Sequence, residues 1–152
     1  MSGVFIVSDN ILSPIGLTTA VNFVQLTKGV SGIKEHNDTA LAAEPFYASL
    51  FTDKNNFTGD SHPVYTRFEQ LLIASIKDAL TNSLVDPGDK KTILIISSTK
   101  GNISLLETET NTPALQKRIS MPVSAKLVAD YFGFVNQPVV VSNACISGIV
   151  AI

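Results

Sequence analysis

Apolar and polar positions fall in blocks along this chain, and the blocks predict strands and helices in alternation. Gly3 to Ser8 is a short apolar run that reads as a buried strand, and Asn10 to Gly16 carries turn residues. Thr18 or Thr19 can cap a helix through Lys28, with Val21, Val24 and Leu26 supplying apolar faces and Gly29 stopping it. Residues 34–64 are the least regular part. Pro45, Asn55, Asn56, Gly59 and Pro63 stand there among polar residues, yet Phe46, Tyr47, Leu50, Phe51 and Phe57 argue for a packed excursion rather than a disordered linker. From Arg67 to Leu84, Phe68, Leu71, Leu72, Ser75, Ile76, Ala79 and Leu80 recur in threes and fours, which predicts a helix.

Asp86-Pro87-Gly88-Asp89 reads as a turn, and Thr92 to Ser97 as a second buried strand. A helical stretch begins near Asn102 and passes Leu105 and Leu106; Thr108 to Thr112 is polar and turn-like. Pro122 to Phe132 gives a further helix, with Val123, Leu127, Val128 and Tyr131 on its apolar side and Gly133 at its end. Pro138 to Val141 leads as a strand into the small residues Ser142 to Gly148, a tight turn opening a closing helix. That helix would have about eight residues, below the ~12–15 at which isolated helices become even marginal. Apolar strands separated by helices predict an α/β fold with a mainly parallel sheet covered on both faces, ligands meeting it at the strands' carboxyl ends.

Composition adds one tension. The 152 residues have the size of one domain, but 45% are hydrophobic and only 16% charged, with a mean hydropathy of +0.27. So thin a polar coat suggests apolar surface covered by something else. The net charge of −2, from 11 basic and 13 acidic side chains, comes without a basic stripe or interleaved aromatics, so no nucleic-acid footprint is present. No apolar stretch reaches the ~20 residues that span a bilayer. Met1-Ser2-Gly3-Val4 lacks the positive region of a secretory signal, and a single cysteine cannot form an internal disulfide; a cytoplasmic location is the expectation.

That cysteine, Cys145, is the leading candidate for chemistry. At the amino end of a helix, unpaired backbone N–H groups and the helix dipole favour a thiolate, which makes Cys145 a candidate nucleophile; a lone cysteine beside a core strand is more often an inert small hydrophobe. Ser97-Ser98-Thr99-Lys100-Gly101-Asn102, a hydroxyl- and glycine-rich loop after a strand, resembles the phosphate-cradling loops of flavodoxin-like proteins but lacks the Walker spacing. His36 and His62 sit among polar turn residues and read as solvated loop histidines, without the neighbours that a zinc site needs. Glu107 and Glu109, two apart, do not share a helix face and do not make a catalytic pair. Arg67 and Lys28 are basic residues that could meet an acidic partner.

Val139 to Ile152 resembles the active-site segment of the β-ketoacyl synthases, the condensing enzymes of fatty-acid and polyketide synthesis. Other stretches agree in order. Ile6-Val7-Ser8 through Leu12-Ser13-Pro14-Ile15-Gly16 to Lys28-Gly29-Val30-Ser31-Gly32-Ile33 resembles the family's opening strand, Ser-Pro-x-Gly loop, first helix and its Gly-x-Ser-Gly-Ile close. Tyr65-Thr66-Arg67-Phe68 is similar to the start of the second helix. Thr92 to Gly101 resembles the second strand with its Gly/Ser-rich exit, and Ser124-Ala125 to Phe132-Gly133 the helix before the nucleophile strand. The resemblance spans essentially the whole chain.

It implies the amino-terminal half, residues 1–152, of a thiolase-like layered α/β/α fold, incomplete without a carboxyl-terminal half and cut just after the nucleophile. It implies Cys145 as the residue acylated from acyl carrier protein, and Leu106 and Ile146 as lining of the acyl pocket. The cofactor would be the phosphopantetheine arm of the carrier protein, with no metal. The assembly would be a homodimer or ketosynthase-like heterodimer paired across Val139 to Val141. The polar residues that decarboxylate the malonyl extender, usually a histidine pair or a histidine and an asparagine, come in the family from the carboxyl-terminal half, so residues 1–152 alone are expected to be inactive. Asn143 stands where threonine or serine is common, Ile146 is bulkier than the usual residue after the cysteine, and Asn136-Gln137-Pro138 replaces a Gly-Pro. The first two changes bear on pocket width. Two other readings stay open: a non-catalytic ketosynthase-like interaction subunit, and a flavodoxin-like binding module.

Overall fold

The computed structural model describes residues 3–51, 64–81 and 83–152. Asn55, Asn56, Phe57, Gly59, His62 and Pro63 from the irregular stretch lie outside them. The chain is a mixed α/β protein that divides into two compact units, residues 3–51 with 74–81 and 83, and residues 64–73 with 84–152.

The first unit is organised by a polar hub. Helix α1, Thr19–Thr27, is capped by the Thr18 hydroxyl, which accepts the Val21 N–H at 3.3 Å, and it closes where Gly29 N–H reaches Leu26 O and Val30 N–H reaches Gln25 O. Ser13 and Gly16 exchange backbone hydrogen bonds at 2.8 and 3.1 Å, making the Ser-Pro-x-Gly loop a closed turn. Asn22, buried in α1, donates to the carbonyls of Ile11, Gly16 and Thr18 at 2.7–2.9 Å and accepts from the Ser13 hydroxyl. One side chain thereby fixes the loop to the helix. Its role is invisible to an apolar-periodicity reading.

Gly3 to Ser8 is not a strand. Val4 is 97% exposed and Ile6 90%, and no ladder bond reaches them among the described residues; an apolar run becomes a strand only where a neighbour takes its N–H and C=O groups. Conversely, the irregular stretch holds an antiparallel pair that the sequence hides: β1, Lys34–His36, and β2, Phe46–Ala48, in register Lys34↔Ala48 and His36↔Phe46. His36 is therefore not a solvated loop histidine. It is half-buried, stacks on Phe46 at 5.5 Å between centroids, and its Nε2 lies 3.1 Å from the Ala48 carbonyl, so that nitrogen carries the proton and donates.

Helix α2, Arg67–Thr81, confirms the threes-and-fours pattern but buries other residues than its apolar stripe: Glu69 and Ile73, one turn apart, are its buried positions. The second unit holds every buried apolar residue found among the described ones: Ile73, Leu94, Ile96, Leu115, Ala125, Val128 and Ala129. Its sheet pairs β3, Ile95–Ser97, with β4, Val139–Val141, in parallel. The expected strand from Thr92 is shorter because the Asn136 side chain donates to Lys90 O and Thr92 O at 2.8 and 2.7 Å, taking carbonyls that a neighbouring strand would otherwise take.

Three helices intervene. α3, Leu105–Thr108, is one turn; α4, Pro113–Arg118, was not predicted, although Thr112 caps it and Pro113 opens it; α5, Met121–Phe132, ends at Gly133 in the left-handed conformation (φ 75°). α5 packs on α4 and β4 and buries Ser124, Ala125, Val128 and Ala129. The closing helix is shorter than expected: a 3-10 turn, Ala144–Ile146, precedes α6, Ser147–Val150.

Candidate active site

Cys145 lies in the 3-10 turn between β4 and α6. Strand β4 ends at Val141, and the chain turns over Ser142 and Asn143 into the 3-10 turn that carries an exposed, free thiol. Ala144, just before it, has φ +46°, the sole positive value among described residues other than glycine. Residues with a Cβ adopt that region at a cost of about 1–2 kcal/mol, so the surroundings must impose it.

Ser147 imposes it. This buried side chain accepts the Asn143 N–H at 2.7 Å and donates its own proton to the Ala144 carbonyl at 2.8 Å, while the Ile146 N–H bonds Asn143 O at 3.2 Å. The hydroxyl thus bridges both ends of the bend from inside and leaves Cys145 on the outer surface. Ser147 was not singled out from the sequence; a serine two residues after a candidate nucleophile, at the first position of a helix, is the signal that could have found it.

The neighbouring strand opens at the same end of the sheet. Ser97 pairs with Val141, and Ser98 N–H donates to Val141 O at 3.2 Å, so the Ser98–Asn102 loop and the Cys145 turn leave adjacent parallel strands in the same direction. Within that loop Ser98 Oγ accepts the N–H groups of Lys100 and Gly101, both at 3.3 Å. Those donors are turned inward, which disfavours the phosphate-cradle reading of the loop.

Beneath the loop sits a buried carboxylate. Glu69 is 0% exposed; its Oε1 accepts from Asn102 Nδ2 at 3.1 Å and Arg118 at 2.6 Å, and its Oε2 from the Thr66 N–H at 2.9 Å and Arg118 at 2.5 Å. Asn102 also donates to Ser124 Oγ at 2.9 Å and accepts from the Thr66 hydroxyl at 2.7 Å. Burial by itself pushes the Glu69 carboxyl up, but the Arg118 and Thr66 hydrogen bonds, the adjacent Ser124 hydroxyl and the guanidinium charge together hold it below the usual carboxylate range. The hydrogen bonds it donates to Glu69 raise Arg118 in return.

Ile146 shares the Cys145 turn and is 45% exposed; Leu106 lies apart on α3, past the end of β3, and is 37% exposed. Glu107 ends up on α3 and Glu109 just beyond it. Arg67 and Lys28 are exposed, and His62 is outside the described residues. Among the described residues no group of three or more His, Cys, Asp or Glu could hold a metal, and no helix is long and apolar enough to cross a membrane. No protein-family model matches this chain, and no curated protein matches it.

Proposed function

We propose that this chain is the amino-terminal part of a 3-oxoacyl-[acyl-carrier-protein] synthase and that Cys145 is its acyl-accepting nucleophile. The observation that carries the reading is an accessible thiol one residue after a strained backbone position, on a turn leaving the carboxyl end of a parallel strand. The motif order quoted above supplies the family, and with it the thiolase-like layering and pairing of two copies along β4.

In this reading the Cys145 thiolate attacks the thioester carbonyl of an acyl group carried on the phosphopantetheine arm of acyl carrier protein. The tetrahedral intermediate collapses with loss of the carrier thiolate, leaving an acyl-cysteine. Backbone N–H groups of the turn are suited to the developing oxyanion. Malonyl carrier protein then loses carbon dioxide, and its enolate carbon attacks the acyl-cysteine carbonyl, expelling the Cys145 thiolate and forming the 3-oxoacyl product. Decarboxylation needs polar residues that the family draws from its carboxyl-terminal half.

A second reading, a ketosynthase-like subunit that binds without catalysing, draws on the exposed apolar side chains such as Ile149 at 78%. One experiment separates the two. The protein is treated with a cerulenin-type epoxide, digested and mapped by mass spectrometry, in parallel with iodoacetamide as a reagent for any accessible thiol. An epoxide adduct at Cys145, absent from Cys145→Ala, supports the nucleophile. Alkylation by iodoacetamide without any epoxide adduct sinks it in favour of the non-catalytic subunit.

A further inference from the structure

The first unit contains a cavity of about 220 Å³ with a mixed lining. Pro14, Ile15, Val30 and Leu50 are its apolar residues, and Gln25, Ser31, Lys34 and His36 its polar ones. Lys34 and His36 are two apart on β1, so the pleat directs both to one face, while Glu35 between them points to the other and receives the Tyr47 hydroxyl at 3.2 Å. No acidic side chain lines the cavity, and Lys34 makes no ion pair among the described residues. Ser31 Oγ already accepts the Ile33 N–H at 3.1 Å, which leaves its proton free to donate. The His36 ring is fixed by Phe46 and by its bond to the Ala48 carbonyl.

We propose that this cavity binds a small organic carboxylate, with Lys34 as the cationic partner, the Ser31 hydroxyl as a second donor, and a short hydrocarbon part against Ile15, Val30 and Leu50. The volume equals that of about seven waters at ~30 Å³ each, which suits an anion of only a few carbons. One feature argues for a carboxylate over a bare inorganic anion: Pro14, Ile15, Val30 and Leu50 offer nothing polar to a fully hydrated ion. Gly32 also lines the cavity. A Cβ there would stand 2.5 Å from Ser49 Oγ and 3.1 Å from Ile15 Cγ2, so a larger residue clashes with both. The site is independent of Cys145, and its success or failure leaves the reading of the thiol untouched.

The test is a titration of the isotope-labelled chain with sodium butanoate, following the backbone amide resonances of residues 30–36, with butanamide and inorganic phosphate as comparison ligands. Butanoate should give saturable shifts, and butanamide, of the same shape without the charge, should bind roughly tenfold more weakly. Lys34→Met should lose the response, Lys34→Arg should keep it, and Glu35→Gln, on the opposite face, should leave it unchanged. Equal binding of butanamide, an unaltered response in Lys34→Met, shifts that never saturate, or tighter binding of phosphate than of butanoate would each overturn the assignment.

Discussion

Arg118 grips Glu69 with both terminal nitrogens, at 2.6 and 2.5 Å, but the two partners are buried unequally: the Arg118 side chain is 27% exposed and Glu69 is 0%. The inequality makes the pair asymmetric to mutation. Arg118→Ala leaves a carboxylate with no route to water and should cost about 3–5 kcal/mol in urea unfolding. Glu69→Gln should cost less, because the released guanidinium can turn outward to solvent. The reverse order would show that the carboxylate is not sealed.

Acid should destabilise the chain through the same group. The Glu69 carboxyl is held low in the folded state, so its contribution is fully present above the unfolded value, about 4.3 for a free glutamate, and is lost as pH falls through the lower folded value. The urea midpoint should hold from neutral pH to about pH 5 and drop below about 4. In Glu69→Gln that part of the acid slope should vanish, while the other carboxylates keep theirs.

Ser147→Ala removes both bonds that close the bend around Ala144 and leaves the Asn143 N–H unpaired, at a cost of about 1–3 kcal/mol. Its diagnostic effect is on chemistry rather than on stability. The thiol is exposed with or without the bridge, so iodoacetamide should label Cys145 at an unchanged rate, whereas the epoxide, which needs an oriented nucleophile, should react several-fold more slowly. A parallel drop in both rates would mean that the turn had collapsed over the sulfur.

Two left-handed glycines make a controlled comparison. A Cβ on Gly133 (φ 75°) meets nothing within 4 Å, so Gly133→Ala should cost only the backbone strain, about 1–2 kcal/mol. On Gly101 (φ 53°) it would run into Met121 Sδ, adding a steric clash to similar strain. Gly101→Ala should therefore be the more damaging in thermal unfolding, and combining it with Met121→Ala should recover part of the difference.

Sequence patterning reached those parts of the fold whose causes are local. Thr18 and Gly29 around α1, the run of α2, the Gly133 stop of α5 and the β-branched stretch of β4 all announce themselves within a few residues. What it missed depends on partners distant along the chain. Val4 to Val7 satisfies the strand pattern without a ladder, and Lys34 to His36 forms a ladder without the pattern. Nothing local to Glu69 announces its partner Arg118, 49 positions later. At the candidate site the thiol was legible because cysteine is rare and its flanks are small, whereas the hydroxyl that shapes the bend looks like any serine until its two bonds are seen.

The uncovered run Val4 to Val7 has a practical corollary. Four successive greasy residues with amide groups that no described residue claims form a sticky ribbon, ready to zip onto another of its kind. How this protein behaves in a tube should then hinge on how much of it is dissolved, and a lysine placed at Ile6 should do more for its shelf life than any change inside the folded body.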